Sequence, residues 1–245
     1  MTRDVTPDLA KVRLFLTEPH PCSYLRDRSA TTAFVDPALP ISSDLYARLS
    51  EHGFRRSGKF LYIPRCQGCA ACIPARIPVA EFIPNRQQRR CLKKNADIKL
   101  SVLNRIDGDE HFSIYEQYIH QRHSDGDMYP PNRSQYDDFI GSTAPFTRFL
   151  EFRKDGRLLA ASVADILDNG LSAIYTYFDP SEDQRSLGAF AILSMINFAR
   201  QNYIPHVYLG YWIDGCRKMR YKTQYQPVEL LVEGAWTPYN SLDSA

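Results

Sequence analysis

The sequence predicts an α+β protein in two parts: a small cysteine-bearing unit over residues 1–104, then a mixed sheet flanked by helices over 105–245. Three observations predict it. Asp155-Gly156 and Asn169-Gly170 separate apolar runs at 148–153, 158–167 and 171–178, and such dipeptides between apolar runs are the strongest short hairpin signal. Residues 187–200 are nearly all apolar on every face, as in a buried helix. Residues 207–211 then supply one further strand.

The remaining elements follow in order. Residues 1–40 read as irregular and turn-rich, with prolines at 7, 19, 21, 37 and 40. Ser42 or Ser43 offers an N-cap for a short helix with Leu45 and Leu49 on its inner face, and Gly53 supplies a left-handed stop. Phe60 and Tyr62 alternate as a strand ahead of a cysteine turn. A proline-punctuated piece, 73–84, leads into a polar helix within 85–97. Asn104 to Gly108 reads as a connector, and the boundary between the two parts is placed there. Phe112, Tyr115 and Ile119 fall at helical spacing, followed by a polar loop over 123–131 and a short helix over 134–140. Three antiparallel strands, a helix opening near Gly188 and one more strand is the order of the acetyltransferase-like (GNAT) fold.

Charge narrows the function classes. Thirty Lys plus Arg against 28 Asp plus Glu leave +2, which argues against a wholly basic binder and still permits a local basic patch. No apolar run approaches the ~20 residues of a membrane span. The first sixteen residues contain acids and Pro7 and lack a long apolar stretch, so a cytoplasmic protein is expected. There is no G-x-S-x-G, Walker loop or H-E-x-x-H, which leaves nucleophilic-hydrolase, nucleotide-triphosphate and zinc-protease readings unsupported.

Several clusters of residues can carry chemistry. Cys66, Cys69 and Cys72 form a C-x2-C-x2-C run on which Gly68 and two alanines let the backbone curl round an ion. Cys22 is the first choice for a fourth ligand, then Cys91 or His20; the alternative is three reduced thiols on a loop. Arg86, Arg89, Arg90, Lys93 and Lys94 share one face of a helix. Such a stripe repels itself unless it is a solvated face or meets an anionic surface such as an RNA backbone. Gln184-Arg185-Ser-Leu-Gly188 opens the buried helix and partly matches a coenzyme A pyrophosphate turn, with Phe190 where a small residue belongs. Tyr175, Tyr177, Tyr211 and Trp212, with Arg220, Tyr221 and Lys222 behind, are either core aromatics or the lining of a pocket. Arg122 to Asp127 is a polar knot between helices that reads as a structural loop or a lid.

These blocks together resemble aminoacyl-tRNA–protein transferases. Pro21-Cys-Ser-Tyr-Leu25, Gly53-Phe-Arg-Arg-Ser-Gly58, Cys69-Ala-Ala-Cys-Ile-Pro-Ala-Arg-Ile-Pro78 and Gln88-Arg-Arg90 are similar to that family's N-terminal half. Tyr175-Thr-Tyr-Phe-Asp-Pro180, Arg185-Ser-Leu-Gly188, Tyr208-Leu-Gly-Tyr-Trp-Ile213 and Met219-Arg-Tyr-Lys222 are similar to its C-terminal half. The resemblance runs over about 13–235 and lies nearer the bacterial, leucine-transferring branch than the eukaryotic arginine-transferring one. It implies transfer of leucine from leucyl-tRNA to proteins beginning with Asp or Glu, creating an N-degron, with no membrane or DNA partner. The eukaryotic relatives hold a metal or iron–sulfur centre on C-G-Y-C and a Cys-Cys pair. Here those positions read Cys22-Ser-Tyr-Leu25 and Ala71-Cys72, so a zinc or iron–sulfur centre on Cys22, Cys66, Cys69 and Cys72 is an expectation with a changed ligand pattern.

The implied chemistry suits the residues. An aminoacyl ester is already activated, and an α-amine with a pKa of about 7.7–8.0 is substantially neutral near physiological pH, so no strong base and no cofactor are required. What remains is alignment of amine and ester, oxyanion stabilisation and a cation for the acceptor's carboxylate. Arg185, Arg220 or Lys222 is expected to be that cation, with Tyr175, Asp179 and Tyr211 positioning the reactants. The basic stripe is expected to hold the tRNA backbone. A coenzyme A acetyltransferase and a metal-dependent RNA-binding module are the competing classes.

Overall fold

A computed structural model describes residues 9–240; Pro7 and the rest of 1–8, together with 241–245, lie outside the described residues. The chain opens with short strands, β1 Leu14–Leu16, β2 His20–Pro21, β3 Ser29–Ala30 and β4 Thr32–Val35. This corrects the irregular reading of 1–40. β1 is exposed along its whole length and is held by pairing to β4, so no alternation of apolar residues betrays it. Helix α1, Ser43–Glu51, starts where expected: Ser42 Oγ accepts from the Leu45 amide at 3.1 Å, and Gly53 follows its end at φ 85°. β5, Arg55–Ser57, and β6, Phe60–Pro64, then form a hairpin. In β6 it is Leu61 and Ile63 that point into the core, while Phe60 and Tyr62 stay half-buried.

After the cysteine turn come β7, Ile73–Pro78, helix α2, Arg86–Lys94, and β8, Lys99–Leu103. Helices α3, Gly108–Arg122, and α4, Arg133–Phe139, lead to the meander β9 Thr147–Lys154, β10 Arg157–Leu167 and β11 Gly170–Phe178. A 3-10 turn over Pro180–Arg185 feeds helix α5, Leu187–Gln201, and β12, His206–Trp212, returns beside β11. A second 3-10 turn, Arg220–Gln224, and the hairpin of β13, Glu229–Val232, with β14, Ala235–Pro238, complete the order. No helix among the described residues is long and apolar enough to cross a membrane.

The main sheet has eight strands in the order β14-β13-β7-β12-β11-β10-β9-β8, antiparallel at every join except β11 with β12, which is parallel. This is the mixed, helix-flanked sheet that the meander and buried helix predict. A four-stranded sheet, β1-β4-β6-β5, packs beside it through a separate core of Leu45, Leu49, Leu61 and Phe146. β7 and β8 come from before residue 104 and yet belong to the eight-stranded sheet, so strands from both sides of the connector share one sheet. β7 is hidden by Pro74 and Pro78, which weaken a strand reading because proline donates nothing to a ladder. β13 reaches only Ala75 and Arg76, so both prolines lie outside the part of β7 that pairs on two sides.

One buried ion pair joins the two sheets. Arg56, on β5, donates from Nε and Nη2 to both carboxylate oxygens of Asp165, on β10, at 2.6 and 2.8 Å, and Thr147 Oγ1 donates to the same carboxylate at 2.8 Å. Both side chains are almost wholly buried, so removing either leaves a charge without a partner away from water. Arg56→Ala or Asp165→Ala is expected to lower the free energy of unfolding by about 3–5 kcal/mol in urea titrations, and the double variant to cost less than the two together.

Candidate active site

The parallel join between β11 and β12 is short. It holds two residue pairs, Leu171 with Val207 and Ser172 with Tyr208, after which β11 runs on to Phe178 and β12 to Trp212 without further pairing. β12 turns away at a bulge between Tyr208 and Gly210, and Gly210 takes φ 81°, which a side chain tolerates poorly. The result is a fork whose inner edges expose backbone carbonyls.

Two buried cations satisfy those carbonyls. Arg55, on β5, enters the crotch: Nη1 donates to Ser172 Oγ at 3.0 Å and to the Tyr208 carbonyl at 3.5 Å, while Nη2 donates to the Ala173 carbonyl. Lys222, in the second 3-10 turn, donates Nζ to the Tyr211 carbonyl and lies 3.1 Å from Met219 Sδ. Arg55 is 8% exposed and Lys222 4%. Neither has a carboxylate within ion-pair distance among the described residues. Burial, with the Arg55 charge next, lowers the Lys222 pKa to about 7, and the Cys216 and Cys72 thiols oppose that.

Of the residues expected from sequence, the structure therefore brings Tyr211 and Lys222 together. Tyr211 is buried, and its hydroxyl donates to the Gly53 carbonyl at 2.9 Å, so it braces the fork against the loop before β5. Tyr175 sits on the other prong, its ring among Tyr115, Tyr118 and Phe139, and burial holds its hydroxyl protonated far above the usual range. Arg220 is exposed next to Lys222, with Nε 3.4 Å from the Asp214 carbonyl.

Arg185 and Asp179 are engaged elsewhere. Arg185 donates to both oxygens of Asp97 at 2.9 and 3.0 Å and to Glu182 at 2.9 Å, which drives the Asp97 pKa well below the usual carboxylate range. Asp179 accepts from the Ser181 amide and from Arg157, and so caps the first 3-10 turn. Both residues shape the approach to α5. Phe190 points into the core against Phe152, leaving the start of α5 open to a cleft of about 240 Å³ lined by Arg122, Phe178, Glu182, Ser186 and Gly188.

The basic stripe lies alongside. α2 is fixed by a reciprocal Asn85–Gln88 cap and turns Gln88, Cys91, Leu92 and Asn95 inward. Arg86, Arg89, Arg90, Lys93 and Lys94 are all exposed on the opposite face. Gln88 Nε2 donates to the Gln224 carbonyl at 3.0 Å, and Asn95 Nδ2 to the Arg185 carbonyl at 2.9 Å. The stripe thus bridges the turn that carries Lys222 and the turn that opens α5. The 123–131 loop closes the other side: Asp125 binds Lys218 at 2.8 Å, Asp127 accepts from Ser23 at 2.5 Å, and His123 is 2.9 Å from the Tyr118 hydroxyl.

In the cysteine turn Gly68 is left-handed at φ 68°, and Cys66 Sγ accepts from the Thr31 amide at 3.4 Å. Burial first, then the neighbouring Cys22, Cys66 and Cys69 thiols, push Cys72 up to about 12, with Lys222 pulling it back. Yet among the described residues no three Cys, His, Asp or Glu side chains converge as a metal ion requires.

Comparison with known proteins decides the family. "Arginine-tRNA-protein transferase, N terminus" matches residues 20–90, and "Arginine-tRNA-protein transferase, C terminus" matches 110–232. The chain belongs to the arginine-tRNA–protein transferase family. Proteins named aspartate/glutamate leucyltransferase from Pseudomonas entomophila (strain L48) and Pseudomonas fluorescens (strain Pf0-1) are each 54% identical over 233 residues, covering 95% of this chain and 99% of theirs. The crystal structure of FemX shares the fold, with a TM-score of 0.52 at 8% identity over 91% of this chain and 86% of that one. In this member of the transferase family, Arg55 is the site residue that sequence reasoning passed over. Its signal was present: two adjacent arginines in a three-residue strand must point to opposite faces, and both faces here are covered.

The buried lysine has a measurable consequence. Unfolded, Lys222 holds its proton to about pH 10.4; folded, it loses it near 7. Between those values the unfolded state binds more protons, so this group makes stability rise with pH, by up to about 1.4 kcal/mol per unit. Unfolding free energies measured from pH 6 to 10 are expected to move in favour of the wild type over Lys222→Met as pH rises. A constant difference would show that Lys222 stays charged.

Proposed function

We propose that the protein transfers leucine from leucyl-tRNA to the α-amine of proteins whose first residue is Asp or Glu. The amine nitrogen attacks the ester carbonyl carbon. A C–N amide bond forms, the C–O bond to the terminal ribose breaks, and a proton passes from nitrogen to the leaving ribose oxygen. The observation that carries this reading is the placing of an exposed basic helix face beside a fork that holds buried cations without carboxylates. The names of the 54% identical relatives support leucine as donor and acidic residues as acceptors.

Each part has a physical task. Arg86, Arg89, Arg90, Lys93 and Lys94 neutralise phosphates, a sequence-independent attraction that falls with salt. The fork aligns amine and ester, and alignment supplies much of the catalysis when neither reactant needs strong activation. Lys222 faces the acceptor's carboxylate, which returns the full charge to an amine that burial has half-neutralised. Tyr175 and Tyr211 are protonated across the physiological range and serve as fixed donors or packing surfaces. Asp179 and Arg185 hold the frame, and Arg220 stands at the rim.

The test supplies leucine or arginine as charged tRNA, with an Asp-starting peptide as acceptor and acetyl-coenzyme A as control donor. Leucine appearing on the peptide amine supports the reading; acetyl transfer with no aminoacyl transfer would replace it. In the same assay, Arg86→Ala, Arg90→Ala and Lys93→Ala combined are expected to weaken tRNA binding. The log–log salt slope should then be shallower by roughly 0.7–0.9 for each lost phosphate contact. An unchanged slope would move the tRNA off α2.

A further inference from the structure

Arg55 is held in the fork by only part of its bonding capacity. A guanidinium has five N–H donors. Three bonds, two from Nη1 and one from Nη2, go to Ser172, Tyr208 and Ala173. Nε–H and the second Nη2–H have no acceptor among the described residues. Nε and Nη2 share the side edge of the guanidinium, the edge that grips a carboxylate with two parallel bonds.

Gly210 lies against that guanidinium: a Cβ there would stand 3.5 Å from Nε, 3.6 Å from Nη2 and 3.7 Å from Cζ. Any larger side chain at 210 would fill the space beside it. The charge is also uncancelled. Arg56, one residue on, is paired with Asp165, and Arg76, also largely buried, with Glu51 and Glu229, whereas among the described residues Arg55 and Lys222 meet carbonyls, a hydroxyl and sulfur and no carboxylate. Carbonyl dipoles do not replace a counter-ion, so two such cations in one buried neighbourhood are costly unless a ligand brings the negative charge. The neighbourhood reaches the surface at Tyr24 and Tyr221, 37% and 40% exposed. Tyr24 lies in the field of Cys72 and Cys216, and Tyr221 in that of Arg55.

We propose that Arg55 and Lys222 together seat the side-chain carboxylate of the acceptor's first residue, with Arg55 as a specificity-determining residue through its free Nε and Nη2 edge. This rests on the transfer reaction proposed above. The planar edge grips both carboxylate oxygens, while the ammonium acts as a point charge on one of them. An amide in place of the carboxylate brings no charge and turns an N–H2 towards donors, so Asn and Gln acceptors are rejected.

The experiment measures leucine transfer to peptides identical except for Asp or Asn at the first position. The wild type is expected to favour Asp strongly. Arg55→Gln should lower the Asp-over-Asn ratio of kcat/KM by roughly tenfold or more, chiefly by raising KM for the Asp peptide, and Arg55→Lys should restore part of the ratio. Because Arg55 also braces the fork, Lys222→Met is measured in parallel, with the same loss expected, and circular dichroism and leucyl-tRNA binding report which variants are folded. Wild-type discrimination retained in a folded Arg55→Gln, or in Lys222→Met should Arg55→Gln not fold, would overturn this seat while leaving the reaction standing. An equal fall for both peptides would likewise make the residue structural. A wild type that transfers leucine to neither peptide would instead overturn the reaction, and the seat with it.

Discussion

Everything around the candidate site depends on a ladder that stops after two residue pairs. Had β11 and β12 continued to pair past Ser172 and Tyr208, their carbonyls would accept from each other's amides and the sheet would have no interior opening. Because they separate, the freed carbonyls need donors. Arg55 comes from the four-stranded sheet and Lys222 from the turn after β12. Arg55 therefore both joins the two sheets and makes the fork positive. Structure and chemistry are coupled at one point.

That coupling explains a contrast between neighbours. Arg56 and Arg55 are adjacent on β5 and both buried, but among the described residues only Arg56 meets a carboxylate. The first fixes the sheets together and the second leaves a charge uncancelled, a cost tolerated at functional sites and rarely elsewhere. α2 extends the positive region outward. Its inner face is bolted to both turns that border the fork and cleft, so its exposed basic face is held in fixed register with them. Arg185, expected from sequence to meet substrate, is one of the bolts.

Sequence reading recovered what local chemistry determines. The Ser42 cap, the two glycine hairpins and the all-apolar α5 each announce themselves within a few residues. β7 was lost because Pro74 and Pro78 disguise a strand whose partners, β12 and β13, lie more than a hundred residues away. β1 was lost because it is held by backbone and exposes its side chains. At the site, Lys222 and Tyr211 were legible through their place behind an apolar strand. Arg55 was signalled only by its place beside Arg56 in a short strand, and its importance comes from a gap between β11 and β12, more than a hundred residues further along the chain. The engagement of Arg185 with Asp97 was not legible, since that contact depends on α2 docking against the turn.

The central claim is that the basic helix and the fork form one continuous site, so that a tRNA held on α2 places its acylated end between β11 and β12. Photocrosslinking from an azido-adenosine at the 3′ end of bound tRNA, with the labelled peptides mapped by mass spectrometry, tests it most directly. Labels on β11 near Tyr175 and on the turn around Tyr221 are the result expected. Labels confined to the β13–β14 hairpin or to α1 would contradict it.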